Sequence, residues 1–130
     1  MRLPLAVLAV AVGGAFGSVA RYLISSWSIA RFGPAFPWGT FAINVSGSFL
    51  IGVVFGLAAA RTEMSPYLRV FLTTGILGGY TTFSAFAFET YTLGAEGAYL
   101  RGTAYALGSV VLGVIAAYAG IAAVRLTTAA

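Results

Sequence analysis

Gly75 to Glu89 read GILGGYTTFSAFAFE, in the middle of the third of four apolar stretches. Within these fifteen residues stand three glycines, two threonines, a serine, three phenylalanines and a carboxylate. A helix that only crosses lipid has no use for this mixture. The Gly78-Gly79 pair weakens helical order, because glycine has no Cβ to restrict the backbone. Thr81, Thr82 and Ser84 can then bond carbonyls and amides freed by a break. Broken helices persist at membrane depth only when buried in protein or lining a cavity. A break at Gly78-Gly79 is therefore a candidate ion site. The plainer alternative is a kinked helix packed by small residues.

Phe83 and Phe86 are three apart and share a helical face, whereas Phe88 lies off it. Aromatic rings carry a negative face and a positive edge. Edges aimed into a narrow path offer a small anion weak, non-basic stabilisation. Ordinary packing is the competing use of such a pair.

Composition selects the solvent. Of 130 residues, 60% are hydrophobic and 8% charged, against about 25% charged in soluble domains. The chain cannot cover a core with polar surface, so the bilayer is its solvent. It contains no cysteine and no histidine. That excludes disulfides, thiolate metal sites, Cys nucleophiles and His bases. The only acids are Glu63, Glu89 and Glu96, a poor set for a membrane enzyme. The net charge of +4 comes from seven arginines. They are scattered, which does not suit nucleic-acid binding.

A transmembrane helix needs about 20 apolar residues, and four segments qualify. The first runs from Pro4 to Ser28 and ends at RFGPAFP. Its opening resembles a secretory signal. It continues through Arg21 to Trp27, however, and reads as a retained first helix. The second, Trp38 to Ala60, stops at Arg61, Thr62 and Glu63. The third starts near Pro66, a suitable first-turn proline, and reaches Thr92. The fourth spans Tyr99 to Leu126. No linker or internal repeat is visible, so residues 1–130 read as one four-helix transmembrane unit.

An even number of crossings puts both termini on one side, with Arg2, Arg61, Arg69 and Arg125. Arg31 and Arg101 stand on the other, with Arg21 nearer to it. The arginine bias that orients membrane proteins is weak here, which permits insertion in both orientations. A single topology with cytoplasmic termini is the alternative.

Polar and small residues recur every four positions in two helices. Thr40, Asn44, Ser48, Gly52 and Gly56 form a stripe on the second, and Arg101, Tyr105, Ser109, Gly113 and Ala117 one on the fourth. The glycines suit close packing. Asn44 needs partners inside the membrane, and its amide both donates and accepts. Hydroxyls, amide donors and aromatic edges in a row can strip water from an anion in stages. They do so without a strong base to trap it. Arg21 and Glu89 are the charges inside apolar segments, where function is the first expectation. Arg21 reads as an anion-attracting vestibule residue, with snorkelling as the competitor. Glu89 reads as a helix-end anchor or a partner for a hydroxyl.

Three motifs resemble those of one family in the same order. They are GGAFGSVARY from Gly13 to Tyr22, GTFAINVSGSFLIG from Gly39 to Gly52, and GGYTTFSAF from Gly78 to Phe86. These resemble the small fluoride channels called Fluc or CrcB, over nearly the whole chain. The resemblance implies an all-α membrane protein with four transmembrane helices and a broken third helix. It also implies an antiparallel, dual-topology homodimer with two pores, in the inner membrane of a bacterium. It implies passive export of fluoride, with no reaction chemistry. It implies pore roles for Asn44, Phe83, Phe86, Ser84, Tyr105 and Ser109, with Thr40 nearby. Gly113 stands where some relatives would carry a serine. A structural Na⁺ on the dimer axis is implied too, held by backbone carbonyls of Gly78 and Thr81 from both subunits. Oxygen ligands suit such a hard cation. The main alternative is a proton-coupled exporter of the small multidrug-resistance type, which needs a glutamate in its first helix. The first helix here carries Arg21 and no acid. An assembly subunit without transport is a third reading, and it leaves Asn44 and the paired phenylalanines unexplained.

Overall fold

In the computed structural model, residues 1–60 and 64–128 are described. Arg61, Thr62 and Glu63, expected to stop the second helix, lie outside the described residues. All regular structure in the described residues is helical. The elements are α1 (Leu3–Phe32), α2 (Trp38–Ala59), α3 (Pro66–Val70), a π-helical segment (Phe71–Leu77), α4 (Gly78–Tyr80), α5 (Phe83–Ala95) and α6 (Tyr99–Thr128). Four spans, Leu3–Phe32, Trp38–Ala59, Pro66–Ala95 and Tyr99–Thr128, are long and apolar enough to cross a membrane. The protein is a multi-pass membrane protein.

The helix ends follow local chemistry. Gly33 closes α1 at φ 76°, and its amide donates to the Ile29 carbonyl. That left-handed value favours glycine. Pro34 and Pro37 then keep the link to α2 short. Ser65 caps α3 by accepting the Leu68 amide at 3.1 Å, and Pro66 fills the first turn. Gly97, also at φ 76°, turns the chain from α5 into α6.

The third span differs from expectation in two ways. It contains the wide π turn, which the sequence pattern did not suggest. The break lies at Thr81–Thr82, where the chain is extended (φ −78°, ψ 157° and φ −151°, ψ 116°). Gly78 is helical at φ −65°, ψ −36°, and Gly79 lies within α4. The glycines therefore do not open the helix. They let α1 approach it. A Cβ on Gly79 would stand 2.6 Å from the Gly14 carbonyl oxygen, and one on Gly13 would stand 2.9 Å from the Gly75 Cα. Backbone atoms cannot yield at that distance.

A second glycine seam joins α2 to α6. Side chains at Gly52 or Gly120 would collide with the Ala117 or Phe49 carbonyl, and one on Gly56 would press Val124 at 3.0 Å. Packing is thus the use of Gly52 and Gly56. Among the described residues, Arg2 and Arg69 make contacts at one end of the bundle. The Arg2 amide donates to the Tyr67 hydroxyl at 2.8 Å, and the Arg69 guanidinium lies 5.4 Å from the Phe55 ring centre. At the other end Arg101 donates to the Ala35 carbonyl at 2.9 Å.

Candidate functional site: a polar groove at the helix break

The break exposes main-chain groups that a continuous helix would pair, and α2 meets them with one side chain. The Asn44 amide nitrogen donates to the Thr82 carbonyl at 3.0 Å, while its oxygen accepts the Thr82 amide at 2.8 Å. One amide thus replaces two helical bonds. It can do so because it carries a donor and an acceptor side by side. Thr82 then caps α5 with its hydroxyl, which accepts the Ala85 amide at 3.2 Å. Tyr80 is tied to α2 by a 3.0 Å bond between its hydroxyl and that of Ser46. The Thr81 methyl nests on Gly47, where a Cβ would collide with it. The Thr81 hydroxyl donates to the Leu77 carbonyl at 2.9 Å.

Beside the break lies a groove of about 510 Å³. Asn44, Phe83, Phe86 and Ser109 line it together with Gly78 and Thr81, so it unites most of the expected site residues. Ser48, Thr82 and Gly113 are also in its wall. Ser109 is buried, and its hydroxyl has no hydrogen-bond partner. Such a group is costly to leave unpaired. Opposite Gly113, a Cβ would meet the Ser48 hydroxyl oxygen at 3.5 Å. The Ser48 hydroxyl itself donates to the Asn44 carbonyl at 2.7 Å.

The aromatic pair is in direct contact. The Phe83 and Phe86 ring centres are 5.5 Å apart, and Phe86 reaches the Tyr105 ring at 5.4 Å. Phe83 remains 78% exposed and Phe88 69%. Ser84 is exposed too, with its hydroxyl 3.3 Å from that of Thr82, and it stands outside the groove wall.

Thr40 and Tyr105 are not in the groove wall either. They are buried one step beyond Phe86, where both hydroxyls donate to Glu89, Thr40 at 2.7 Å and Tyr105 at 2.6 Å. Glu89 is thus a partner for hydroxyls, as one of its two expected uses has it, and it joins α2, α5 and α6. An acid inside an apolar segment was the available signal. Its two partners come from distant helices and have no trace in local spacing.

Arg21 is not at a helix end. α1 continues to Phe32, roughly 16 Å further at about 1.5 Å per residue. Its Nε donates to the Gly79 carbonyl at 3.0 Å. At the break, no donor among the described residues reaches the Gly78 or Thr81 carbonyl, since the Thr82 amide is taken by Asn44.

A family model described as "CrcB-like protein, Camphor Resistance (CrcB)" matches residues 8–121. The chain belongs to the CrcB family. Among its CrcB relatives is the "Fluoride-specific ion channel FluC" of Rhizobium meliloti (strain 1021). It is 57% identical over 83 residues, which cover 64% of this chain and 66% of the relative. A protein of the same name from Agrobacterium fabrum is 56% identical over 80 residues, 62% of this chain and 64% of the relative. One from Geobacter sulfurreducens is 56% identical over 84 residues, 65% and 68%. The chain thus spans just under two thirds of the length of the first two relatives. These relatives are named as channels, not as enzymes.

Proposed function

We propose that this CrcB-family chain is a fluoride channel in which the groove beside the helix break is part of the ion path. The observation that carries the reading is the groove itself, lined by Asn44, Phe83, Phe86 and Ser109, whose hydroxyl has no hydrogen-bond partner. A fluoride ion leaving water must be compensated by donors. Ser109 has an O–H to give, and the Asn44 amide retains a second N–H beyond the one held by Thr82. The Phe83 and Phe86 edges add weak positive potential, and Ser84 extends the hydroxyls along α5. Further on, an anion competes with Glu89 for the hydroxyl hydrogens of Thr40 and Tyr105. Arg21 borders the break, bound through its Nε to the Gly79 carbonyl at 3.0 Å. No strong base lines the groove, so the ion can leave again. The names of the relatives support fluoride as the ion.

A second copy, inserted antiparallel, completes the assembly and gives two pores. Supporting this, Gly78, Phe83 and Ser84 at the break are exposed in the single chain. A Na⁺ ion would sit between the copies, on the Gly78 and Thr81 carbonyls. These fit a hard cation, being oxygens without a donor, and the ion would supply fixed positive charge at the break. The implied physiology is passive fluoride export across a bacterial inner membrane.

The test is efflux from liposomes followed with fluoride and chloride electrodes. Rapid fluoride release without chloride release is expected. Equal release, or none, refutes the reading. Single cysteines placed in the loops of this Cys-free chain should react from both sides of sealed vesicles. Labelling from one side only rejects dual insertion and, with it, the antiparallel dimer.

A further inference from the structure

We propose that Arg21 is a positioning residue that holds the third helix open by binding the Gly79 carbonyl. In an unbroken helix that carbonyl would accept the Phe83 amide, four residues on. The extended Thr81–Thr82 pair removes that donor. An orphaned carbonyl at membrane depth is costly. Arg21 replaces the missing donor with its Nε at 3.0 Å, from a helix that is itself locked to α4 where Gly14 meets Gly79. Asn44 performs the matching task from α2, on Thr82. The break is therefore clasped from both sides, by α1 above the extended pair and by α2 within it. The bond uses the nitrogen nearest the Arg21 backbone, not the tip of the guanidinium. It therefore depends on a donor at a fixed place along the side chain, and charge alone does not supply it.

Glutamine separates the two roles. Its Nε2 is as many bonds from Cα as the arginine Nε, and it is neutral. Lysine keeps the charge but carries its donors one atom further out, on a flexible stem. Methionine fills the space without a donor. The activity readout rests on the fluoride reading above, so a second readout is taken independently of it. Full-length Arg21→Gln, Arg21→Lys and Arg21→Met are compared in liposomes, measuring efflux against fluoride concentration. Amide hydrogen exchange over 79–86 is measured in the same samples. The expected result is that Arg21→Gln keeps most of the maximal rate and native protection. Arg21→Met should lose roughly tenfold or more, as a part-buried orphan implies, and exchange faster. The concentration for half-maximal rate should stay near wild type in Arg21→Gln. The proposal is overturned by a wild-type-like Arg21→Lys beside an inactive Arg21→Gln with a raised half-maximal concentration. That pattern would assign Arg21 to ion attraction. Equal loss of protection in Arg21→Gln and Arg21→Met also overturns it. Absence of fluoride flux in the wild type would sink the channel reading, and the exchange comparison would still decide the clasp.

Discussion

The α2–α6 seam and the groove at the helix break share α2, yet they are built in opposite ways. The seam is closed by backbone against backbone, with Gly52 on the Ala117 carbonyl and Gly120 on that of Phe49. The groove is held open by side-chain polar groups, Asn44 on Thr82 and Arg21 on Gly79. Between membrane helices, van der Waals packing and interhelical hydrogen bonds drive association, because lipid is as apolar as the side chains. The seam uses the first and the groove the second. The seam therefore tolerates no added volume, whereas the groove tolerates volume but not the loss of a donor or acceptor.

The largest expected effect is in the seam. Gly120→Leu should abolish the fold, since overpacking costs about 1–3 kcal/mol even against side chains that can move, and here the obstacle is a main-chain carbonyl. No monodisperse protein should be recovered after detergent extraction. Next comes Asn44→Leu, which orphans the Thr82 amide and carbonyl at about 1–3 kcal/mol each. Fluoride efflux should be lost while extractable protein remains. Efflux within twofold of wild type would remove Asn44 from the break. Glu89→Gln is a milder lesion. Its amide offers one oxygen to two donating hydroxyls, so either Thr40 or Tyr105 loses its acceptor, worth about 1 kcal/mol. A several-fold drop in efflux and a small fall in melting temperature are expected.

The aromatic pair should show a graded effect. Phe86→Ile removes ring contacts to both Phe83 and Tyr105, whereas Phe83 is mostly exposed in the single chain. Both variants should slow efflux in a folded protein, Phe86→Ile more. Unchanged efflux in both would sink the idea that the rings touch the ion. The smallest effect belongs to Gly113→Ser. A Cβ there makes an ordinary 3.5 Å contact with the Ser48 hydroxyl, so thermal stability should stay unchanged. An altered efflux rate would report an added hydroxyl in the path.

Segment number, helical class and the polar stripes were legible in the sequence because they depend on local composition and period. The break in the third span was legible, but its position was not. Gly78-Gly79 draws attention because glycine loosens a helix. Thr81 and Thr82 are extended because Asn44, remote in sequence, offers them an alternative set of bonds. The same reason reverses the weight of the two glycines. Gly78 has room for a Cβ, with its nearest neighbour, the Thr73 carbonyl oxygen, at 3.6 Å, while Gly79 has none. A bulky residue should therefore distort α1 packing from Gly79, not from Gly78. Arg21 and Glu89 were visible as charges in apolar segments. Their partners, a carbonyl on another helix and two hydroxyls on two others, are fixed only by the fold.

If the ion passes through the groove, a blocking group there stops it, and the native absence of cysteine allows a direct measurement. Ser109→Cys places a thiol in the groove wall, and Val111→Cys places one on the exposed outer face of the same helix. Each variant is treated with methyl methanethiosulfonate, the mass shift is read to verify labelling, and fluoride efflux is compared before and after. Labelling of the Ser109→Cys variant should block efflux, and labelling of the Val111→Cys variant should leave it unchanged. Full labelling at position 109 with undiminished efflux would contradict the account.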